Sequence, residues 1–276
     1  MRPEKYLLIL AAAAALLAQQ GDQAIYQHYA PIDITGNWVS IVTEDWSQRM
    51  IMPSKGDYTS IPLNAAGKKV ADAWDPAHDA PAAGEACRAY AAPALLRVPG
   101  RLRISWQDNG NTLKLEADAG QQTRLLQFAG KEPQGEAGFQ GYSAASWDYA
   151  GGFDPARVGA PPAVRPNGPN GGGGGGGGNG RGNVNAPATK PQGGALKVVT
   201  THLKPGYIRK NGVPYSKDTV LTEYFNVHKD TDGTEWLIVT NIVHDPAYLA
   251  VDYITSSNFR RESDGSKWRP KTCTAQ

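Results

Sequence analysis

The chain has 276 residues, of which 28 are Lys or Arg and 26 are Asp or Glu, giving a formal net charge of +2. A balance this close to neutral excludes the strongly basic surface with which proteins bind nucleic acid or anionic membranes. Once two segments that look non-globular are set aside, the length suffices for one domain of ordinary size.

The N-terminus has the layout of a secretory signal peptide. Arg2 and Lys5 precede an unbroken apolar run over residues 6–18, which includes five consecutive alanines. The run is short for a membrane-spanning helix, and no second long apolar segment follows it. The sequence therefore predicts a signal peptide over residues 1–18, with its cleavage point left open. It also predicts an exported protein, periplasmic or extracellular, without stable membrane insertion.

A polar N-terminal arm is predicted over residues 19–32, before the first strand. Residues 34–43 are rich in β-branched side chains and contain Gly36-Asn37-Trp38 near their start. Further along, Asn64 is placed to cap a short helix over residues 65–74. The chain thus begins its folded part with one strand and one short helix.

The clearest pattern is an antiparallel meander in the middle of the chain. Residues 101–106 and 112–118 alternate polar and apolar side chains, and a turn-forming cluster at 108–111 joins them. Residues 122–128 continue the series as a third strand. Arg124 has the parity of the apolar residues of that strand, so it is expected on the apolar side unless the strand is bulged.

A glycine-rich segment then interrupts the pattern. Residues 158–194 contain an unbroken run of glycines at 171–178, flanked by Pro, Asn and further Gly. Such a composition cannot bury enough apolar surface to offset the entropy of ordering, so the segment is predicted to be disordered. Because neither flank alone has enough strands for a barrel, we expect a single domain over residues 33–276 with this segment inserted in it.

The C-terminal part is the richest in strand patterns. Residues 196–203, 220–227, 235–243 and 253–261 are rich in β-branched and aromatic side chains and are separated by turn residues. With the earlier strands this makes about eight to ten short strands, and they do not alternate with helices. The pattern excludes a parallel α/β scaffold and predicts a mainly β fold, an antiparallel barrel or a sandwich.

The chain has two cysteines, Cys87 and Cys273, and both lie in the part predicted to be exported. In an oxidising compartment they are expected to form a disulfide that ties the C-terminus to the body of the domain. Two free buried thiols are the alternative. Two cysteines without clustered histidines do not make a zinc-binding pattern, and neither a metal site nor a cofactor is predicted.

Gly36-Asn37-Trp38 in a first strand resembles the Gly-x-Trp motif of the lipocalins (calycins). The order of the following pieces is more specific: a Cys-containing loop, PALLRVPGRLRISW, NTLKLEADAGQQTRLLQF, LTEYF, DGTEWLIVTNIVHDPAYL and a terminal Cys. Outside the glycine-rich segment, most of residues 33–273 resemble a group of uncharacterised exported bacterial proteins with a lipocalin-like barrel. The resemblance carries no established activity.

The resemblance implies a lipocalin-like antiparallel β-barrel in which a basic side chain from a late strand packs over Trp38. Arg260 and Arg261 are the two candidates, and the mixed faces of their strand leave open which of them points inward. The alternative is that Trp38 is an ordinary core residue and that both arginines are solvated.

Small β-barrels either fill their interior with side chains or hold one ligand. Our first hypothesis is therefore a binding protein for a small apolar or amphipathic ligand, with an aromatic lining and a polar group to orient the ligand. The predicted ligand-binding residues are Trp106, Trp236, Arg124, Glu223 and His202.

Two alternatives rank below binding. The first is a structural barrel at the cell surface that holds no ligand. The second, ranked last, is an enzyme of unrecognised type in which His202, Glu223 and Arg124 gather inside the barrel. The histidines are scattered, and the chain has neither a nucleophile elbow nor a phosphate-binding loop, so no catalytic residue is predicted.

Overall fold

The computed structural model describes residues 25–79, 85–129, 135–152 and 193–274. The predicted signal peptide and residues 158–192 of the predicted insertion lie outside these residues. Within the part that is described, no helix is both long and apolar enough to cross a membrane.

The described residues form short helices and mostly short strands. The α-helices are α1 (Ile25–His28), α2 (Trp46–Met50), α3 (Ala65–Ala73), α4 (Pro76–Asp79) and α5 (Ala92–Leu95), and 3₁₀ turns lie at Glu85–Tyr90, Asp108–Gly110 and Ala150–Gly152. The strands are β1 (Gly36–Ile41), β2 (Arg101–Gln107), β3 (Thr112–Ala117), β4 (Ala119–Gly120), β5 (Gln122–Gln127), β6 (Tyr142–Tyr149), β7 (Gly194–Thr201), β8 (Gly206–Arg209), β9 (Val213–Tyr215), β10 (Val220–Lys229), β11 (Glu235–His244), β12 (Tyr253–Glu262) and β13 (Lys271–Thr272).

Nine strands close into a barrel in the order β1, β12, β11, β10, β7, β6, β5, β3, β2, and β2 pairs back with β1. This confirms the predicted mainly β barrel of about eight to ten strands. The barrel is mixed rather than wholly antiparallel, because β5 and β6 run parallel. The chain between them is long enough to return to the starting end of β5, and a parallel neighbour needs such a crossover of about a dozen residues.

Alternation of side chains along the strands explains the barrel wall. In β11, Leu237 and Val239 are fully buried while Ile238 between them is partly exposed. The predicted hairpin is formed by β2 and β3, in register from Leu102 with Ala117 onward. The predicted short helix is α3, and its cap is formed by Asn64, whose side chain accepts a hydrogen bond from the backbone N–H of the third residue on.

Large side chains fill the barrel interior. Those that are at most 1% exposed in this cluster include Trp38, Leu113, Leu115, Leu126, Leu196, Phe225 and Phe259. A second apolar cluster lies where the barrel meets the β8–β9 hairpin, and it contains Leu221, Tyr253, Val213 and Tyr215. The barrel interior is therefore occupied by side chains.

Gly36, Trp38 and Arg261 pack together where β1 meets β12. The Arg261 guanidinium lies 4.2 Å from the centroid of the Trp38 ring, and Trp38 Nε1 donates to Ile34 O at 2.9 Å. Gly36 has a φ of +111°, and a Cβ there would lie 2.6 Å from Arg261 Nη1. Glycine is therefore required for the arginine to reach the ring. Arg260 is exposed.

The two cysteines lie at disulfide distance, as predicted. Cys87 is in the 3₁₀ turn before α5 and Cys273 follows β13, with their Cα atoms 5.2 Å apart. Strand β13 also pairs in parallel with β4. These contacts fix the C-terminal segment to the outside of the barrel.

Candidate functional site

Arg124 and Glu223 form an ion pair inside the barrel. Arg124 Nη1 lies 2.8 Å from Glu223 Oε1 and Nη2 lies 2.5 Å from Oε2, a bidentate contact. Both side chains have no solvent exposure. Strand β5 pairs regularly with β3, without a bulge. The parity of Arg124 along its strand therefore places it inside the barrel.

The network around this pair spans four neighbouring strands. Strand β5 carries Arg124 and β10 carries Glu223, while β6 and β7 between them supply Ser143 and Thr200. Arg124 Nη2 donates to Thr200 Oγ1 at 3.0 Å and to Ser143 Oγ at 3.3 Å. Among the described residues, only Nε of the guanidinium lacks a partner. Glu223 thus balances the charge of Arg124 inside the protein, and we interpret the pair as a structural contact.

Trp106 packs in an aromatic cluster rather than lining an open mouth. Its ring centroid lies 5.5 Å from that of Phe128 and 6.3 Å from that of Trp147. Tyr26 of α1 stacks on Phe128 at 5.2 Å, and Trp147 Nε1 donates to Tyr26 O at 2.8 Å. The predicted N-terminal arm therefore covers this cluster with a short helix.

Trp236 and His202 lie outside the barrel interior. Trp236 alternates with Leu237, which is fully buried and points inward, so Trp236 is on the outer face of β11. His202 is exposed, has a φ of 55° and makes a 3.3 Å hydrogen bond with its neighbour Thr201. Sequence composition did not reveal these orientations, because aromatic residues and histidine occur on both faces of a barrel wall.

The five predicted ligand-binding residues therefore do not form one site. Arg124 and Glu223 meet in the interior, Trp106 lies in a separate aromatic cluster, and Trp236 and His202 face outward. The enzymatic alternative requires His202 to lie beside the Arg124–Glu223 pair. It does not, because His202 is exposed and the pair is in the interior. In the described part of the chain, no group of three or more His, Cys, Asp or Glu residues could hold a metal ion.

A pocket with several cationic side chains in its lining lies at the end of the barrel where β12 begins. Its walls are α2, the segment after α5, strand β8 and Tyr253, and its volume is about 70 Å³. We call it the arginine pocket, because its charged lining residues are Arg49, Arg97, Arg209, Lys210 and Asp45.

Arg49 has a buried charge that the protein does not fully satisfy. Its Nε donates to Arg97 O at 2.9 Å, but Nη1 and Nη2 are buried and have no hydrogen-bond partner among the described residues. Leaving a buried polar group unsatisfied costs on the order of 1–3 kcal/mol, and a charged group costs more. Burial, followed by the charge of Arg97, lowers the pKa of Arg49 to about 10, so the guanidinium stays charged at neutral pH.

The acidic groups nearest to this pocket are already engaged by Arg97. Its Nη1 pairs with Glu44 and its Nη2 with Asp45. Arg97 Nη1 also donates to Ser256 O at 2.9 Å. These carboxylates are hydrogen-bonded to Arg97, and they act on Arg49 through their charge but without a hydrogen bond to its terminal nitrogens.

Arg209 and Lys210 also have partners. Arg209 Nη2 donates to Thr59 O at 2.8 Å, and Lys210 Nζ donates to Tyr90 Oη at 3.0 Å. Burial raises the pKa of Tyr253, which keeps its phenol neutral. The lining carries four cations and one carboxylate, so its net charge is positive.

Helix α2 turns Arg49 toward the pocket. Asp45 precedes it with a φ of 48°, and Arg49 N donates to Asp45 O at 3.0 Å. Asp45, Gln48 and Arg49 are spaced at i, i+3 and i+4, so they share one face of the turn. Sequence reasoning missed this site, because its arginines come from three segments without regular periodicity.

A scan against protein-family models, a search of curated proteins and a search of solved structures each find no match to this chain. The functional argument therefore rests on the geometry of the chain itself.

Proposed function

We propose that this protein is an exported β-barrel that binds a small anionic molecule at the arginine pocket. The observation that carries the proposal is Arg49, whose two terminal nitrogens are buried, charged and unpartnered beside a cavity. Arg49 lines that cavity, and an oxyanion that reached its terminal nitrogens would accept from both, because a guanidinium matches carboxylate, phosphate and sulfate groups with two parallel hydrogen bonds.

The dimensions of the pocket agree with an oxyanion group. A buried water needs about 10–15 Å³ on the same measure, so a cavity of about 70 Å³ admits several atoms. Binding sites for whole drug-sized ligands are larger, at about 300–1,000 Å³. The pocket therefore suits one charged group and not a bulky neutral molecule.

The test is thermal unfolding in the presence of anions. Sulfate, phosphate and acetate are titrated at constant ionic strength with sodium chloride, using wild type, Arg49→Met and Arg260→Met. Ligand that binds the folded state raises its stability by RT ln(1 + [L]/Kd), so at least one of these anions is expected to raise the Tm of wild type. Arg260→Met removes the same charge from an exposed position and should respond as wild type does.

The variant decides the location of binding. A Tm increase that Arg49→Met abolishes supports the pocket. An equal increase in all three proteins would mean general anion effects on stability and would overturn the proposal. Absence of any increase in wild type would favour the alternative of a packed structural barrel.

Export and a relationship to lipocalin-like barrels belong to the same proposal. The apolar N-terminal run and the cysteine pair at disulfide distance support export. The Arg261 stack on Trp38 supports the relationship, since it is the contact that the resemblance implies. Mass spectrometry of protein from the extracytoplasmic fraction should find a shortened N-terminus and a gain of two protons on reduction. A full-length, reduced protein in the cytoplasm would contradict export.

A further inference from the structure

The arginine pocket adjoins a strip of exposed apolar side chains. Trp46 is 61% exposed, Met50 53%, Ile51 61% and Met52 41%. We call these four residues the apolar strip. Isolated exposed apolar residues are normal on protein surfaces, but four large ones within seven consecutive positions form a patch of the kind that binds something.

The strip and the pocket belong to the same short element. Trp46 directly follows Asp45, and Met50 directly follows Arg49, so two of the lining residues that this element contributes have a strip residue as their chain neighbour. On helix α2 the strip residues Trp46 and Met50 are four positions apart and share a face. That face lies beside the one that carries Arg49 into the pocket.

We infer that the ligand is an anionic amphiphile whose charged head binds Arg49 in the arginine pocket and whose apolar chain lies along the apolar strip. This inference rests on the proposed function and adds the ligand class to it. The pocket is too small for more than a head group, and helix α2, which lines it, carries Trp46 and Met50 on the neighbouring face. The surface that such a ligand would follow is apolar.

The same geometry disfavours the other occupants of such a patch. A neutral apolar molecule would bury the strip but would leave the Arg49 nitrogens without an acceptor. Among the described residues, Phe225, Leu126 and other large side chains are fully buried in the barrel interior, so an apolar chain there would have to displace them. A membrane surface would contact the strip, and we treat this as an outcome of the test.

The experiment is a chain-length series of straight-chain carboxylates, from acetate through hexanoate to decanoate, below their micelle concentrations. Affinity is measured by calorimetry and by Trp fluorescence. Each methylene laid against the strip is expected to raise the affinity about two- to fourfold, the higher value applying to complete burial. Decanoate should therefore bind wild type at least ~100-fold more tightly than acetate does.

Three variants locate the two halves of the ligand. Arg49→Met should weaken acetate and decanoate alike. Trp46→Ser combined with Met50→Ser should leave acetate affinity unchanged and flatten the chain-length dependence. Ile254→Ser, which removes an apolar side chain that is 62% exposed on the barrel wall, serves as the matched control and should change neither.

The outcomes separate the inference from the proposed function. If acetate binds through Arg49 but affinity does not rise with chain length, the anion site stands and the amphiphile is excluded. If neither anion binds, both fall together. If decanoate binds equally well to Arg49→Met, the chain alone is recognised and the coupling to the pocket is overturned. Binding of neutral phosphatidylcholine vesicles through Trp46, without carboxylate binding, would assign the strip to a membrane surface instead.

Discussion

Two buried arginines of this protein differ in what surrounds their charge. Arg124 lies in the closed interior, where Glu223 takes both of its terminal nitrogens and hydroxyls from two strands complete the contact. Arg49 lies at the edge of a cavity, and its terminal nitrogens have no partner among the described residues. The fold supplies hydrogen-bond acceptors to the first side chain, whereas it supplies none to the terminal nitrogens of the second within the described residues.

Whether a buried charge has hydrogen-bond partners is a better guide to its role than how deeply it is buried. A buried ion pair with its hydrogen bonds made is compatible with a packed core, although it adds little net stability. A buried charge without an acceptor is a cost that the fold carries, and such costs concentrate at sites that bind ligands. The interior pair, which sequence reasoning placed in a ligand site, is the structural one.

The largest expected effect comes from breaking the interior pair. Glu223→Gln removes the negative charge and leaves Arg124 charged in a site without solvent exposure. We expect the free energy of unfolding to fall by about 3–5 kcal/mol, because an uncompensated buried charge is strongly destabilising. Urea unfolding of the variant and wild type, analysed with a common m value, measures this difference.

The double variant Arg124→Leu with Glu223→Leu is the control for this prediction. It removes both charges together, so its loss should be much smaller than that of Glu223→Gln. A double variant as unstable as the single one would mean that the shape of the pair, and not its charge balance, holds the interior. A cost below about 1 kcal/mol for Glu223→Gln would instead contradict the closed pair.

Alternation along strands allowed much of the fold to be predicted. The period-two pattern of residues 101–118 predicted the β2–β3 hairpin, the strand count predicted a barrel or a sandwich, and the resemblance to lipocalins favoured the barrel. The parity of Arg124 with its apolar neighbours placed it inside, where it lies. The parallel pairing of β5 and β6 could not be predicted, because it depends on where an irregular connection returns.

The candidate site was beyond sequence reasoning for a related reason. Arg49, Arg97 and Arg209 come from segments without regular periodicity, and their meeting is set by how loops pack on one barrel end. In the sequence Arg49 directly precedes three large apolar residues, which is only a weak indication of a binding site. That signal could not show that Arg97 engages the nearby carboxylates and leaves Arg49 unpaired.

Arg261 is only partly exposed and has several partners, so its substitution is expected to change the free energy of unfolding by an intermediate amount. Its guanidinium stacks on Trp38, donates to Asp33 O at 3.1 Å and pairs with Glu235 at the protein surface. Arg261→Met should lower the free energy of unfolding by about 1–2 kcal/mol, since a cation–π contact and hydrogen bonds are lost at a partly exposed position. Arg260→Met, from the exposed neighbour, should stay within about 0.5 kcal/mol of wild type in the same urea experiment. Equal effects of the two variants would contradict the role of Arg261.

The smallest expected effect is a gain in the free energy of unfolding, not a loss. It tests the comparison of Arg49 with Arg124 most directly. Arg49→Met replaces a buried unsatisfied cation by an apolar side chain of similar length. Relief of the unsatisfied charge should outweigh loss of the single bond from Nε to Arg97 O, so the ligand-free variant should be more stable than wild type by about 1 kcal/mol. Arg49→Lys keeps a charge in the pocket and should show no such gain. Urea unfolding in a buffer without oxyanions measures all three proteins. A loss of stability in Arg49→Met would mean that Arg49, like Arg124, serves the fold, because its contacts would then contribute more stability than its unpartnered nitrogens cost.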